Sequence, residues 1–445
     1  MKNSRTKDMT RGSVSKNLIL FAIPLLLGSL VQQLYNTVDL IFAGNFIDKS
    51  ASAAIGTSGM LVNCLGGFFG GMSVGSGVGI SQIFGSGDIR KLKKAIHNAM
   101  ALSLVGGMIL MLVGWILAPW YLQWINTPVD LLQSATGYLR IYFLSMISVL
   151  TYNIGSGVCR ALGDSQSPLY AQFFGGLLNV VMDYLFIRIF ENGVNGVAWA
   201  TLFSQTCAAL IIVYRLRKLD ADIALRWKDI RFDGELLREV IRIGIPAGTQ
   251  SLVITLSNVF VQSQINTFGE DAIPAFTAYF KVELLIYLPI VAFGQAMMTF
   301  AGQNKGAGNY GRIRKGTLQC VSISIVIAVL TSLLAIGFGE QLFRIFNKEA
   351  SVIALGCSII RVTFPFYFLY CILQILGDSI RGCGEVKKPM MIVMTNICVI
   401  RTILLFFMVH YFQSVQSVAA VYPVTWMLTA VCMMVCYIRF RGDKM

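Results

Sequence analysis

Apolar residues run through this chain in blocks too long for the core of a soluble domain, separated by short polar clusters. Twelve such blocks, at 17–43, 54–83, 95–117, 133–159, 166–190, 194–216, 237–267, 273–301, 316–339, 354–380, 388–411 and 416–438, reach the roughly 20 residues a helix needs to cross a bilayer. The spacing predicts an all-α polytopic membrane protein with twelve transmembrane helices. The longest polar stretch, about 214–242, mixes basic and acidic residues and divides the spans into six and six. We therefore expect an N-lobe over 1–216, an inter-lobe linker over 217–236 and a C-lobe over 237–445.

The two halves repeat one another. Pro24 matches Pro246 at an offset of 222, and at 221 Ser81–Gly87 matches Gly302–Gly308. The same offset carries Tyr138–Ile141 onto Ile359–Val362 and Arg160–Pro168 onto Arg381–Pro389. Six spans per copy give both copies the same sidedness. They are parallel repeats about a pseudo-twofold axis along the membrane normal, an arrangement that suits alternating access by lobe rocking.

Composition sharpens this. With 56% hydrophobic and 13% charged residues and a mean hydropathy of +0.68, an ordinary soluble domain is excluded. The net charge of +14 could suggest nucleic acid, but its placement reports topology. The N-terminus, the even-numbered loops and the C-terminus hold 28 of the 36 Lys and Arg, the opposite side only Lys49, Arg188, Arg344 and Lys348. By the positive-inside rule both termini face the cytoplasm, in a multi-pass protein of the inner or plasma membrane. We expect no cleavable signal peptide before the first span, which is too long for one and is followed by no small-residue cleavage site.

Chemistry-bearing motifs are few. Ten cysteines, in or at the ends of the expected helices, form no CxxC pair, and there are only two histidines, His97 and His410. They read as packing residues, with no metal and no catalytic triad, so no enzyme is expected. Gly306–Gly311 fits GxGxxG but follows a membrane helix where a dinucleotide fingerprint needs a strand, so it reads as a tight turn. No GxxxxGK[ST] is present, and neither nucleotide nor other cofactor is expected.

Intramembrane polar residues carry the functional signal. A carboxylate at mid-membrane costs about 2.5–3.5 kcal/mol on insertion scales, so it marks pairing, protonation or ion binding. Gln32, Tyr35, Asn36 and Asp39 share one face of the first span, and Gln172, Asn179 and Asp183 one face of the fifth. The sixth adds Thr201, Ser204 and Gln205, and Asn153 on the fourth is a further cavity-lining candidate. The repeat maps Asp39 onto Val261, Asn179 onto Ile400 and Asp183 onto Leu404. A merely structural network would be kept in both copies, so the N-lobe is expected to hold the coupling site. Two carboxylates brought together cannot both ionise cheaply, which suits a proton carrier. The same oxygens could equally cage Na⁺.

In the second half, Ser251, Thr255, Asn258 and Gln262 form a neutral polar stripe. Lys281 and Glu283 lie about 200° apart around a helix and so need partners elsewhere, with Arg401 the candidate for Glu283. Asp164 with Arg160, and Asp378 with Arg381, fall at helix ends and are expected to be solvated. Gly67, Gly71, Gly75 and Gly79 make a stripe for close helix packing. Pro24 and Pro246 predict a bent first helix in each copy, Pro24 with a hinge role.

The paired prolines, GQNKGAGNYGRIRK after the eighth span, RALGDSQSP after the fourth and RGCGEVKKP after the tenth resemble the MATE (multidrug and toxic compound extrusion) transporters over essentially the whole chain. Asp39, fifteen residues past Pro24, with Asn179, Asp183 and Thr201, is similar to the N-lobe cation site of the DinF branch. The resemblance implies a V-shaped pair of lobes and antiport of drug-like molecules against H⁺ or Na⁺, with small-molecule substrates, a bilayer setting and no nucleic-acid partner. A monomer suffices. It departs from the NorM branch, whose seventh helix carries acids, since Pro246–Thr267 has none. A flippase for lipid-linked precursors shares the architecture and is the alternative, although it implies more cavity arginines and usually two extra helices. A non-transporting scaffold would leave the one-sided acids unexplained.

Overall fold

The computed structural model describes residues 6–46 and 49–444, almost entirely helical and without a strand. In order these are α1 (Val14–Phe46), α2 (Lys49–Ser86), α3 (Ile89–Trp124), α4 (Val129–Leu144), α5 (Met146–Ala161), α6 (Gln166–Asp183), α7 (Gly193–Arg217), α8 (Gly234–Ile265), α9 (Ala272–Gly306), α10 (Tyr310–Gly337), α11 (Gly339–Arg344), α12 (Ala350–Thr363), α13 (Tyr367–Gly382), α14 (Lys387–Val393), α15 (Arg401–Phe412) and α16 (Val415–Lys444). Lipid offers the backbone no hydrogen-bond partner, so apolar stretches of this length must satisfy their own amides as helices.

Among the described residues, eleven spans are long and apolar enough to cross a membrane, and a bent pair taken as one span makes the twelfth. That pair corrects one expectation: 133–159 is not one helix but α4 and α5, meeting at 44°. Ser145 stands at the break with its hydroxyl turned back onto the Tyr142 carbonyl at 2.6 Å, a local bond that competes with the helical ladder. The tenth span also breaks, through a 3₁₀ turn at Phe364–Phe366. There Pro365 removes a donor. The offset of 221 puts Phe366 opposite Ser145, so both copies interrupt their fourth helix at one place by different chemistry.

The chain folds as two compact units, one of Ile23–Gly248 with the residues up to Asp8, the other of Met9–Ala22 with Thr249–Met445. The division differs from the one expected at 217–236. It falls beside Pro24 and Pro246, inside α1 and α8, and the linker belongs wholly to the first unit. The linker is docked on α3: Lys93 pairs with Asp229 at 2.6 Å, and the Asp233 amide donates to Asn98 Oδ1 at 3.0 Å. The Arg226 amide donates to His97 Nε2 at 3.1 Å, so this histidine holds the linker.

Helix association in lipid relies on close packing, and the α2 glycines supply it in the first unit. A Cβ on Gly71 would lie 2.2 Å from the Gly248 nitrogen, and one on Gly75 would lie 2.5 Å from the Val240 carbonyl oxygen. Side chains from Phe69, Leu122, Leu139 and Ile187 fill one part of that unit's interior. The second unit packs around Phe276, Tyr279, Phe343 and Tyr367.

Of the pairs expected to be solvated, the acids are buried and the arginines half-buried. Asp164 is 2% exposed and accepts the Ser167 amide at 2.9 Å, its hydroxyl at 2.7 Å and Arg215 Nε at 2.8 Å. Arg160 reaches Ser73 at 3.0 Å. Asp378 takes Arg381 at 2.8 Å and Gln374 at 2.7 Å. Gly306–Gly311 is the turn expected of it, joining α9 to α10 with Gly308 at φ +73°.

Candidate functional site

The first unit gathers its acids where α6 changes character. Asn179 and Asp183 lie one turn apart on α6, 1% and 0% exposed. Directly after Asp183 the helix widens into a π-helical stretch, Tyr184–Ile189, a distortion that recurs at functional positions. From α1, Asp39 brings its carboxyl face to face with that of Asp183. Gly176 makes the approach possible: a Cβ there would come within 3.1 Å of the Tyr35 ring. Tyr35 lies across this gap, its hydroxyl engaged by Gln172 and Gln32. Asn36 and Gln32 are exposed on the same helix.

What distinguishes the cluster is the state of its oxygens. Asp39 Oδ1, Asn179 Oδ1 and both Asp183 carboxyl oxygens are buried with no hydrogen-bond donor. A buried acceptor left without a partner costs about 1–3 kcal/mol, and more when charged. Two carboxyls sharing one low-dielectric space add mutual repulsion. A proton entering the group relieves the repulsion and supplies one donor, and a hard cation takes carboxylate and amide oxygens as its ligands.

The other expected members make bonds of their own. Thr201, on the α7 helix packed against α6, donates its hydroxyl to the Val197 carbonyl at 3.0 Å, which leaves its oxygen only as an acceptor. Asn153 is turned to bracing: its side chain donates to Val149 and its carbonyl receives Ser73 Oγ at 2.7 Å. Tyr138, on α4 and 6% exposed, was missed as a site residue. It faces both Asp39 and Asp183, and the repeat could have flagged it, since its counterpart is Ile359.

In the second unit the expected residues form no comparable cluster of acids. Asn258 and Lys281 are exposed, and Gln262 donates to Asn266 at 2.9 Å. Arg401 is not the partner of Glu283. Its guanidinium donates to Thr425 Oγ1 at 3.2 and 3.4 Å and lies 4.6 Å over the Tyr422 ring, whereas Glu283 accepts the Tyr367 hydroxyl. Pro24 sits inside an α1 that runs through it without interruption.

Known proteins resemble this chain along its length. The MatE family model matches twice, over 24–185 and 246–407. The chain is 30% identical over 400 residues to the probable multidrug resistance protein YpnP of Bacillus subtilis, covering 88% of each. It is 25% identical to the probable multidrug resistance protein NorM of Thermotoga maritima, over 90% of this chain and 87% of that one. Among solved structures, the outward-facing conformation of a multidrug resistance MATE family transporter superposes with a TM-score of 0.93 at 23% identity, over 100% of this chain and 99% of that one. A MOP superfamily transporter from Pyrococcus furiosus gives 0.91, also at 23% identity and with the same coverage. With one copy of the family pattern on each half and relatives matched nearly end to end, the chain belongs to the MATE family of multidrug efflux transporters.

Proposed function

We propose that this protein is a secondary antiporter that exports cationic or amphipathic drug-like compounds in exchange for H⁺ or Na⁺, with its coupling site in the first unit. The observation that carries the reading is the group of donor-less buried oxygens on Asp39, Asn179 and Asp183. The coupling ion enters this group, Asn179 and Thr201 contribute neutral oxygens, and a cationic substrate competes for the same negative charge. Exchange follows because a ligand shifts a conformational equilibrium only by binding one state better than the other. Pro24 serves as the hinge of α1. Both termini lie in the cytoplasm, the setting is the cell membrane, and one copy suffices.

The test is export of ethidium from proteoliposomes under an imposed pH gradient or an imposed Na⁺ gradient. Wild type should export under one of them, and Asp39→Asn and Asp183→Asn should each lose at least about tenfold in rate, the equivalent of ~1.4 kcal/mol. Full export by either variant would remove the coupling assignment. No wild-type export under either gradient would shift the reading to a flippase of lipid-linked precursors.

A further inference from the structure

The second unit carries an acid the first does not match: the counterpart of Glu283 at the repeat offset is Val62. Glu283 lies about a third of the way along α9, inside a membrane span, and no Lys or Arg among the described residues forms an ion pair with it. Its hydrogen bond comes instead from the hydroxyl of Tyr367. Tyr367 is the first residue of α13, directly after the 3₁₀ break at Phe364–Phe366. The carboxylate therefore holds the residue from which the tenth span restarts. The groups facing Glu283 are Tyr279 and Tyr287 from α9, Tyr367 and Tyr370 from α13, Arg401 from α15 and Tyr422 from α16. Of these only Arg401 is charged, and its N–H groups are directed at Thr425.

We propose that Glu283 and Tyr367 form a second proton-binding site, separate from the Asp39–Asp183 group, whose occupancy is passed to the break in the tenth span. As carboxylate, Glu283 accepts the Tyr367 O–H. On taking a proton from water it gains an O–H bond and loses its charge. The tie to Tyr367 then weakens from a charge-assisted bond to a neutral one, roughly half as strong. The helix beyond Phe366 is freed to reorient, and loss of the proton to water restores the tie. This inference rests on the antiporter reading only for the use made of the proton, not for its binding.

The experiment is an infrared pH titration of the protonated-carboxyl band, on purified full-length wild type, Glu283→Gln, Tyr367→Phe and the double variant Asp39→Asn/Asp183→Asn. Each sample is first shown to be monodisperse and to melt cooperatively. Glu283→Gln should remove a titrating component that the double variant keeps, and Tyr367→Phe should displace the midpoint of that component. A Glu283→Gln titration superimposable on wild type, or an undisplaced midpoint in Tyr367→Phe, overturns the proposal. Glu283→Asp, which keeps the carboxyl, replaces Glu283→Gln if the latter does not fold and should restore a shifted component. Because the titration needs no transport, failure of the protein to export ethidium would leave this result standing.

Discussion

Asp164 and Asp183 are both enclosed carboxylates of one unit, 2% and 0% exposed, and they are enclosed in opposite ways. Asp164 is met by a backbone amide, a hydroxyl and the Arg215 guanidinium, whereas both oxygens of Asp183 meet no donor. Removing the first should destabilise and removing the charge of the second should not. Asp164→Ala removes the carboxylate that the Ser167 amide, the Ser167 hydroxyl and Arg215 Nε share and should cost about 1–3 kcal/mol, seen as a lower melting temperature in detergent. Asp183→Asn should melt at or above the wild-type temperature while losing export. The face of Asp183 was legible in the sequence because helical spacing aligns it with Asn179 and Gln172. The burial of Asp164 was not, because its arginine lies 51 residues away and only folding brings the two together. Tyr138 escaped for another reason: an isolated aromatic in an apolar span looks like filler until its acidic neighbours are known.

At the scale of helices, the stripe on α2 was visible in the sequence, but its partner was not. Gly71→Ala drives a methyl to within 2.2 Å of the Gly248 backbone nitrogen, where neither side can turn aside. The expected cost is about 1–3 kcal/mol or more, read as a melting-temperature loss. Gly70→Ala, with nothing within 4 Å of its new Cβ, is the matched control and should be neutral. The break between α4 and α5 was hidden from hydropathy, since apolar residues continue on both sides of Ser145. Its counterpart at Pro365 carried a visible signal that the repeat offset could have transferred. The π-helical segments were equally invisible in composition. They nevertheless adjoin the deep charges of the sixth and fifteenth helices, Tyr184–Ile189 following Asp183 and Met394–Ile400 preceding Arg401.

Across the whole molecule, the polar stretch at 217–236 is no free tether. The hydrogen bond from Lys93 holds the Asp229 carboxyl below the usual carboxylate range. A carboxylate with a depressed folded value contributes stability above its unfolded pKa and loses it only as pH falls through the folded one. Protease protection of the linker should therefore stay flat from pH 8 to about 5 and fail below the ordinary range near ~4. High salt should weaken it at any pH, since the pair is 34% and 38% exposed and open to screening. Cutting the chain in the linker should not separate the product: co-expressed 1–225 and 226–445 should purify together, and each alone should fail to accumulate. The reason is the division beside the two prolines, because each compact unit holds a segment from the other half of the sequence, Met9–Ala22 in one and the start of α8 in the other. Those segments are equivalent under the offset of 222 that pairs Pro24 with Pro246. A lone half would carry an arm with nothing of its own to grasp and a gap that only a second copy's arm could fill. The exchange of arms is written into the chain twice, once in each copy of the repeat, so neither half of the sequence completes a unit by itself.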